Sequence, residues 1–327
     1  NIITGDEGSA VALAVGHFLA KKKIPCVYMQ NSGLGNAINP LASITHPKVY
    51  SIPLLLIIGW RGSPFRAKDE PQHEVKGKIT KDLLKLLNIK SCVLRNLNDL
   101  KKLQKLIKYS EKNNRPVCCL IERKTLLPIN KTKNKDLNLK GIQRSHAIET
   151  LLNLVDSRTR IISTTGYTSR ELNQIRIKKN FSKSKDFYMV GGMGHASLVA
   201  FGYAKKKNNQ TICLDGDGSL FMHLGALQTI GSIGSKNFKH ILFNNGIHES
   251  VGGQKIKSDK INFKSMCLAL GYKNYFYCDS KNSLKYTLRK FILSSGPSFL
   301  NIKIQSGYIK NLSRPNNFQK IKKNFIR

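Results

Sequence analysis

The chain is short of acid. Among 327 residues, 19 are Asp or Glu against 55 Lys or Arg, a formal charge of +36 at pH 7. Such an excess raises the question of a nucleic-acid partner. The lysines, however, are scattered (Lys21–Lys23, Lys101, Lys102, Lys205–Lys207, Lys322, Lys323), with no stripe interleaved with aromatics and no nucleic-acid motif. No specific nucleic-acid partner is expected. The charge reads as a lysine-rich surface that draws in anionic substrates, less so in salt. Also missing is any apolar run of about 18 residues, so no membrane span is expected. The first residues lack the basic-then-apolar layout of a secretory leader. The seven cysteines (Cys26, Cys92, Cys118, Cys119, Cys213, Cys267, Cys278) contain no CxxC. They read as buried thiols of a reducing, cytoplasmic compartment, not as a disulfide framework or a zinc site.

What is present alternates between strand-like and helix-like runs, the mark of parallel α/β layers. The length suits two domains. Residues 1–129 form the first, with a helix over 11–19, strands over 25–29, 54–59, 91–94 and 116–121, and helix over 83–87. A polar, aperiodic stretch at 130–142 is the expected linker. Residues 143–327 form the second, with helices over 144–156, 196–204 and 263–270 and strands over 160–163 and 298–304. The tail after Pro315 is expected to be ragged. Ile2–Thr4 reads as the end of a strand, and a domain of this class normally has an earlier strand and helix beside it.

Two strand ends carry the chemistry. Ile212–Leu214 leads into Gly216-Asp217-Gly218, and about 25 residues later His240–Phe243 leads into Asn244-Asn245-Gly246. Asp217 offers a charged oxygen, Asn245 a neutral one, and the Ile247 carbonyl a third, a donor set for Mg2+. Gly216 and Gly218 let a diphosphate approach the backbone, and the helix expected from Ser219 turns its N–H groups toward it. The bland alternative is a strand-to-helix turn followed by a polar strand end. The spacing resembles the diphosphate and magnesium motif of thiamine-diphosphate enzymes. Gly5-Asp6-Glu7-Gly8 places a carboxylate at another strand-to-helix junction. In those enzymes a glutamate so placed bonds the cofactor's aminopyrimidine; otherwise it is an ordinary acid in a first helical turn.

Longer stretches sharpen the likeness. They are 27–36 (VYMQNSGLGN), 59–62 (GWRG), 69–73 (DEPQH), 164–166 (TTG), 192–197 (GMGHAS) and 244–254 (NNGIHESVGGQ). On these the chain resembles the phosphonopyruvate decarboxylase family, and its sulfopyruvate-cleaving relatives less fully. The resemblance implies a pyrimidine-binding and a diphosphate-binding domain on parallel sheets, with no middle domain. It also implies thiamine diphosphate with Mg2+, a small anionic 2-oxo acid substrate, and self-association to at least a homodimer. Carried over by residue, it makes Glu7, His73 and His248 catalytic. It puts Gly166, Gly192, Met193, Gly194, Gly216, Asp217, Gly218, Ser219, Asn245 and Ile247 against the cofactor. Gln30, Asn31, Asn36, Arg61, His73 and Gln254 fall to the substrate. Arg61 suits a phosphonate, which a guanidinium can grip with two parallel bonds. A plain surface arginine, a core methionine at 193 and structural histidines are the competing readings.

Overall fold

The computed structural model describes residues 1–65, 69–126, 141–179, 181 and 185–327. The expected linker lies outside them except for Gly141 and Ile142. The chain forms two compact units, Asn1–Lys133 and Asn134–Arg327, each built on a parallel sheet as the alternating apolar runs imply.

The first unit contains strands β1 (Cys26–Gln30), β2 (Leu55–Trp60), β3 (Lys90–Leu94) and β4 (Val117–Glu122), with helices α1 (Glu7–Lys21), α2 (Leu34–Ala42), α3 (Pro71–Leu86) and α4 (Leu100–Asn113). The strands lie in the order β1-β2-β4-β3, all parallel. Leu56, Ile58, Cys118 and Leu120 on the two interior strands are buried, as a helix-covered parallel sheet requires. Helix α1 starts earlier than its apolar spacing suggests, because Asp6 caps it: Asp6 Oδ1 accepts the Ser9 N–H at 3.0 Å. Glu7 therefore sits in the first turn, where the helix dipole favours a carboxylate. Helix α3 also starts early, at Pro71, a residue pre-shaped for a first turn, so His73 is helical. Ile2–Thr4 pair with no strand among the described residues.

The second unit contains β5 (Arg160–Ser163), β6 (Asp186–Tyr188), β7 (Thr211–Gly216), β8 (Phe238–Asn244), β9 (Asn274–Cys278) and β10 (Ser298–Lys303). Its helices are α5 (Arg144–Leu152), α6 (Tyr167–Lys178), α7 (Ala196–Ala204), α8 (Asp217–Met222), α9 (Gly225–Ile233), α10 (Phe263–Ala269), α11 (Lys281–Leu293) and α12 (Phe318–Ile326). The parallel strands run β6-β5-β7-β8-β10-β9. The chain leaves β5 toward β6 and then returns past it to β7, so the order reverses between β5 and β7. In open α/β sheets ligands bind in the crevice at the carboxyl ends beside such a reversal. Leu172 and Ile175 of α6 join one apolar layer, and Ala196 and Ala200 of α7 join the other, so the two helices cover opposite faces. The tail is not ragged: α12 buries Phe325, whose ring centroid lies 5.5 Å from Phe187 and 4.9 Å from Tyr203. Phe318, Ile321 and Phe325 recur at helical spacing, a pattern masked by the lysines between them.

Candidate functional site

In the second unit the singled-out residues gather at the carboxyl ends of β5, β7 and β8. Asp217 opens α8 and is 2 % exposed. Its Oδ1 accepts the Gly218 N–H at 2.9 Å, its Oδ2 accepts the Gly246 N–H at 2.7 Å, and the Ser258 hydroxyl lies 3.3 Å from Oδ2. The end of β8 is thus clasped to the start of α8. Burial pushes the Asp217 carboxyl up to about 6, against the pull of the Gly246, Gly218 and Ser258 bonds. No Lys or Arg among the described residues pairs with it. A buried carboxylate surrounded only by neutral donors is stabilised by a bound cation. The donor set fits a hard ion: Asp217, the Asn245 amide oxygen and the Ile247 carbonyl are all oxygens.

Ser219 ties three turns together. Its hydroxyl lies 2.9 Å from the Thr164 hydroxyl at the end of β5 and accepts the Gly194 N–H at 3.0 Å. The Gly166 turn lies against Ser250. A Cβ on Gly218 would sit 2.4 Å from His248 Nδ1; His248 therefore packs against Gly218. Met193 is half-buried between Gly192 and Gly194. Behind this turn the His195 and His223 rings stack with centroids 4.2 Å apart, and burial, with help from His223, holds His195 below its ordinary value.

The Asn245 side chain is oriented from both ends. Its Oδ1 accepts the Ile247 N–H at 3.1 Å, and its Nδ2 donates to Glu249 Oε2 at 3.3 Å. Glu249 in turn receives the Arg144 guanidinium at 2.5 Å, and Arg144 lies 3.5 Å from the buried Glu171. Burial pushes the Glu171 carboxyl up, against the Arg144 charge. Glu249, Arg144 and Glu171 were not singled out from sequence. Arg144 and Glu249 are 105 residues apart, and no local pattern joins them. Gln254 accepts at its backbone carbonyl from the His248 N–H at 2.8 Å, closing the loop that carries His248.

In the first unit two groups form. Glu7 Oε2 accepts from Asn36 Nδ2 at 2.8 Å. Gly33 gives the carboxylate its space: a Cβ there would lie 2.1 Å from Glu7 Oε1. In the second group the buried Asn31 clasps the backbone of Arg61, donating from Nδ2 to its carbonyl at 2.9 Å and accepting its N–H at 3.0 Å. Nδ2 also donates to Thr80 Oγ1 at 3.1 Å. The Asn31 amide is spent on these bonds and holds the Arg61 loop in place. Gln30 donates to Ser32. Arg61 grips Asp69 with two bonds of 2.6 Å, so the guanidinium fork expected to face a phosphonate faces a carboxylate of its own chain. The pair holds Asp69 down at about 2 and Arg61 above its ordinary value. Burial, reinforced by Arg61, lowers His73, whose buried Nδ1 has no partner among the described residues. Trp60, next to Arg61, is buried and donates Nε1–H to the Gly77 carbonyl at 2.9 Å.

Known proteins resemble the chain in both units. Residues 1–81 match the family described as thiamine pyrophosphate enzyme, N-terminal TPP binding domain. Residues 164–302 match the thiamine pyrophosphate enzyme C-terminal TPP binding domain. A phosphonopyruvate decarboxylase of Streptomyces viridochromogenes is 33 % identical over 328 residues, spanning 94 % of this chain and 80 % of that protein. One from Streptomyces hygroscopicus is 32 % identical, spanning 94 % and 79 %. A sulfopyruvate decarboxylase of Methanosarcina acetivorans is 27 % identical, spanning 95 % and 82 %. With 33 % identity over 94 % of the chain and both cofactor-domain families matched in order, the chain belongs to the phosphonopyruvate decarboxylase family of thiamine-diphosphate enzymes.

Proposed function

We propose that the chain decarboxylates 3-phosphonopyruvate to phosphonoacetaldehyde and CO2 with thiamine diphosphate and Mg2+, as a lyase of phosphonate biosynthesis working as at least a homodimer in the cytoplasm. The observation that carries this is the likeness to phosphonopyruvate decarboxylases over 94 % of the chain joined to a buried, cation-seeking Asp217 at the strand reversal.

When bound, thiamine diphosphate supplies a cationic ring that takes up the electron pair left by departing CO2. Asp217, Asn245 and the Ile247 carbonyl would hold Mg2+, which would supply positive charge to the diphosphate. The turns around Gly166, Gly192, Gly194 and Gly216 let the backbone approach closely, Ser219 ties three of them, and Met193 fills the space between two glycines. Glu7, steadied by Asn36, holds a proton at an aminopyrimidine nitrogen. Arg61 binds the phosphonate by exchanging the Asp69 carboxylate for it, while Asn31 keeps its loop in place. His73 and His248 are the candidate proton donors to substrate carbon, and Gln30 and Gln254 orient the substrate. Glu249, backed by Arg144, fixes the Asn245 amide nitrogen and so would keep its oxygen available to the metal.

Sulfopyruvate is the second reading, favoured by the likeness to the Methanosarcina enzyme. Assaying the purified chain with phosphonopyruvate, sulfopyruvate and pyruvate, each with thiamine diphosphate and Mg2+, decides between them. Phosphonopyruvate is expected to give the highest kcat/KM, with phosphonoacetaldehyde as product. Turnover of sulfopyruvate alone would overturn the substrate, and loss of no activity in EDTA after cofactor removal would overturn the cofactor. A fully active monomer in light scattering would overturn the dimer.

A further inference from the structure

We propose that Cys213, Asp215 and His240 form a second metal site, buried in the second unit and built for a zinc-type ion. It goes beyond the reaction above and does not depend on it.

Strands β7 and β8 pair in parallel with Cys213 opposite His240. Asp215 follows Cys213 by two residues, so its side chain leaves the same face of the sheet. That face is packed with Phe238, Phe299 and Tyr272. Cys213, Asp215 and His240 are each 0 % exposed. One donor atom from each lies within 4.8 Å of the other two. His240 Nε2 and Asp215 Oδ2 stand 3.5 Å apart, and neither makes a hydrogen bond among the described residues. Two orphaned polar atoms aimed at one another in an apolar layer are costly, and an ion is one of the few things that satisfies both.

The other ring nitrogen of His240 is already committed: Nδ1 lies 3.1 Å from the Tyr272 hydroxyl. Metal-bound histidines are held in this way by their second nitrogen, which leaves the first to the ion. The donors are one sulfur, one nitrogen and one oxygen. That mixture selects a borderline ion such as zinc or cobalt and rejects Mg2+, which demands oxygen. It thereby differs from the all-oxygen set at Asp217. Three protein donors are the number found in open zinc sites, where water takes the fourth position. Charge also balances. A thiolate, a carboxylate and a neutral imidazole cancel a divalent ion and leave the core neutral. Binding forms the S–metal bond and breaks the Cys213 S–H bond; the thiol proton leaves to solvent, along with any proton that the Asp215–His240 pair shares in the empty site. No CxxC spacing advertises the site, because sheet pairing rather than sequence proximity brings its donors together.

The test uses the full chain, purified without a metal-binding tag, dialysed against EDTA in the native state and analysed for metals. About one transition-metal ion per chain is expected to survive and to be released to a chromophoric chelator on unfolding in guanidinium. Protein grown on Co2+ should show a near-ultraviolet thiolate-to-cobalt band. Cys213→Ser should lose that band, while Cys267→Ser, a second buried thiol on the same layer, should keep it. Wild-type protein carrying less than about a tenth of an ion per chain after growth on either metal would overturn the site; so would a band that survives in Cys213→Ser. In that case Asp215 and His240 share a proton instead. Should Cys213→Ser fail to fold, the wild-type metal content decides alone.

Discussion

Asn36 donates its side-chain amide to the Glu7 carboxylate at 2.8 Å, tying the first turn of α1 to α2. The donor occupies Oε2 and leaves Oε1 on the side of Gly33. Glu7→Gln is expected to keep the fold and nearly abolish turnover. Asn36→Ala removes a bond to a charged group, worth roughly 1.5–3 kcal/mol, and should lower kcat about 10- to 100-fold. Circular dichroism should change little in either, and the melting temperature of Asn36→Ala should fall by about the few degrees that the lost bond implies. An unaltered kcat in Asn36→Ala would show that Glu7 needs no such tether.

Gly33→Ala tests the same carboxylate from its other side. The added carbon would stand 2.1 Å from Glu7 Oε1, so the carboxylate has to turn away. Turnover should fall as far as in Glu7→Gln, although no catalytic group has been changed. Kinetics on the folded variant settle it.

Removing Asp217 should weaken Mg2+-dependent cofactor binding most, and Glu249→Gln should weaken it about 10- to 100-fold through a less well oriented Asn245. Thermal shift against a thiamine diphosphate titration at fixed Mg2+ reads both without relying on activity. Equal affinity in wild type and Glu249→Gln would leave the Arg144–Glu249 pair with a purely structural role.

Asp69 and the substrate phosphonate compete for one guanidinium, that of Arg61. Arg61→Ala should reduce kcat/KM for phosphonopyruvate by about one to two decades, with Arg61→Lys between, since charge survives but the fork does not. Pyruvate, lacking the phosphonate, should be turned over poorly and equally by all three. Asp69→Asn should free the guanidinium and lower KM for the phosphonate substrate. A parallel loss on pyruvate would make Arg61 a scaffold residue.

Lys239 supplies the pH test. It is buried on β8, donates to the Ser294 carbonyl and hydroxyl, and burial pushes it down to about 8. Its unfolded value is higher, near 10.5. Between the two the unfolded chain binds the extra proton, so this residue adds stability as pH rises from about 8 to 10.5 and adds none of that below 8. Melting curves of wild type and Lys239→Met should therefore converge toward, or cross in favour of, wild type across that window. A constant difference from pH 7 to 10.5 would mean that Lys239 titrates normally.

The elements legible in the sequence were those whose apolar runs are long and buried on both faces. The expected helix over 196–204 coincides with α7, and the strand expected over 298–304 is β10 within one residue. Helices α4 and α11 lie outside the sequence expectations although Leu100, Leu103 and Leu106, and Leu284, Leu288 and Phe291, recur at helical spacing, because lysines crowd the positions between them. The starts of α1 and α3 depend on a cap and a proline, which outweigh apolar spacing. At the site, the strand-end oxygens could be read because they follow strands directly. Their supports could not: Arg144 reaches Glu249 across 105 residues of sequence, and Asp69 takes the Arg61 fork in a pairing that no spacing encodes.

Trp60 gives this architecture a built-in reporter. It is the chain's single tryptophan, anchored to Gly77 through its indole N–H and covalently adjacent to Arg61. All intrinsic indole emission therefore originates one peptide bond from the residue proposed to trade a carboxylate for a phosphonate. Loop movement during that exchange can be followed in stopped flow on unlabelled protein, separately from chemistry, with the same optical signal in every variant above.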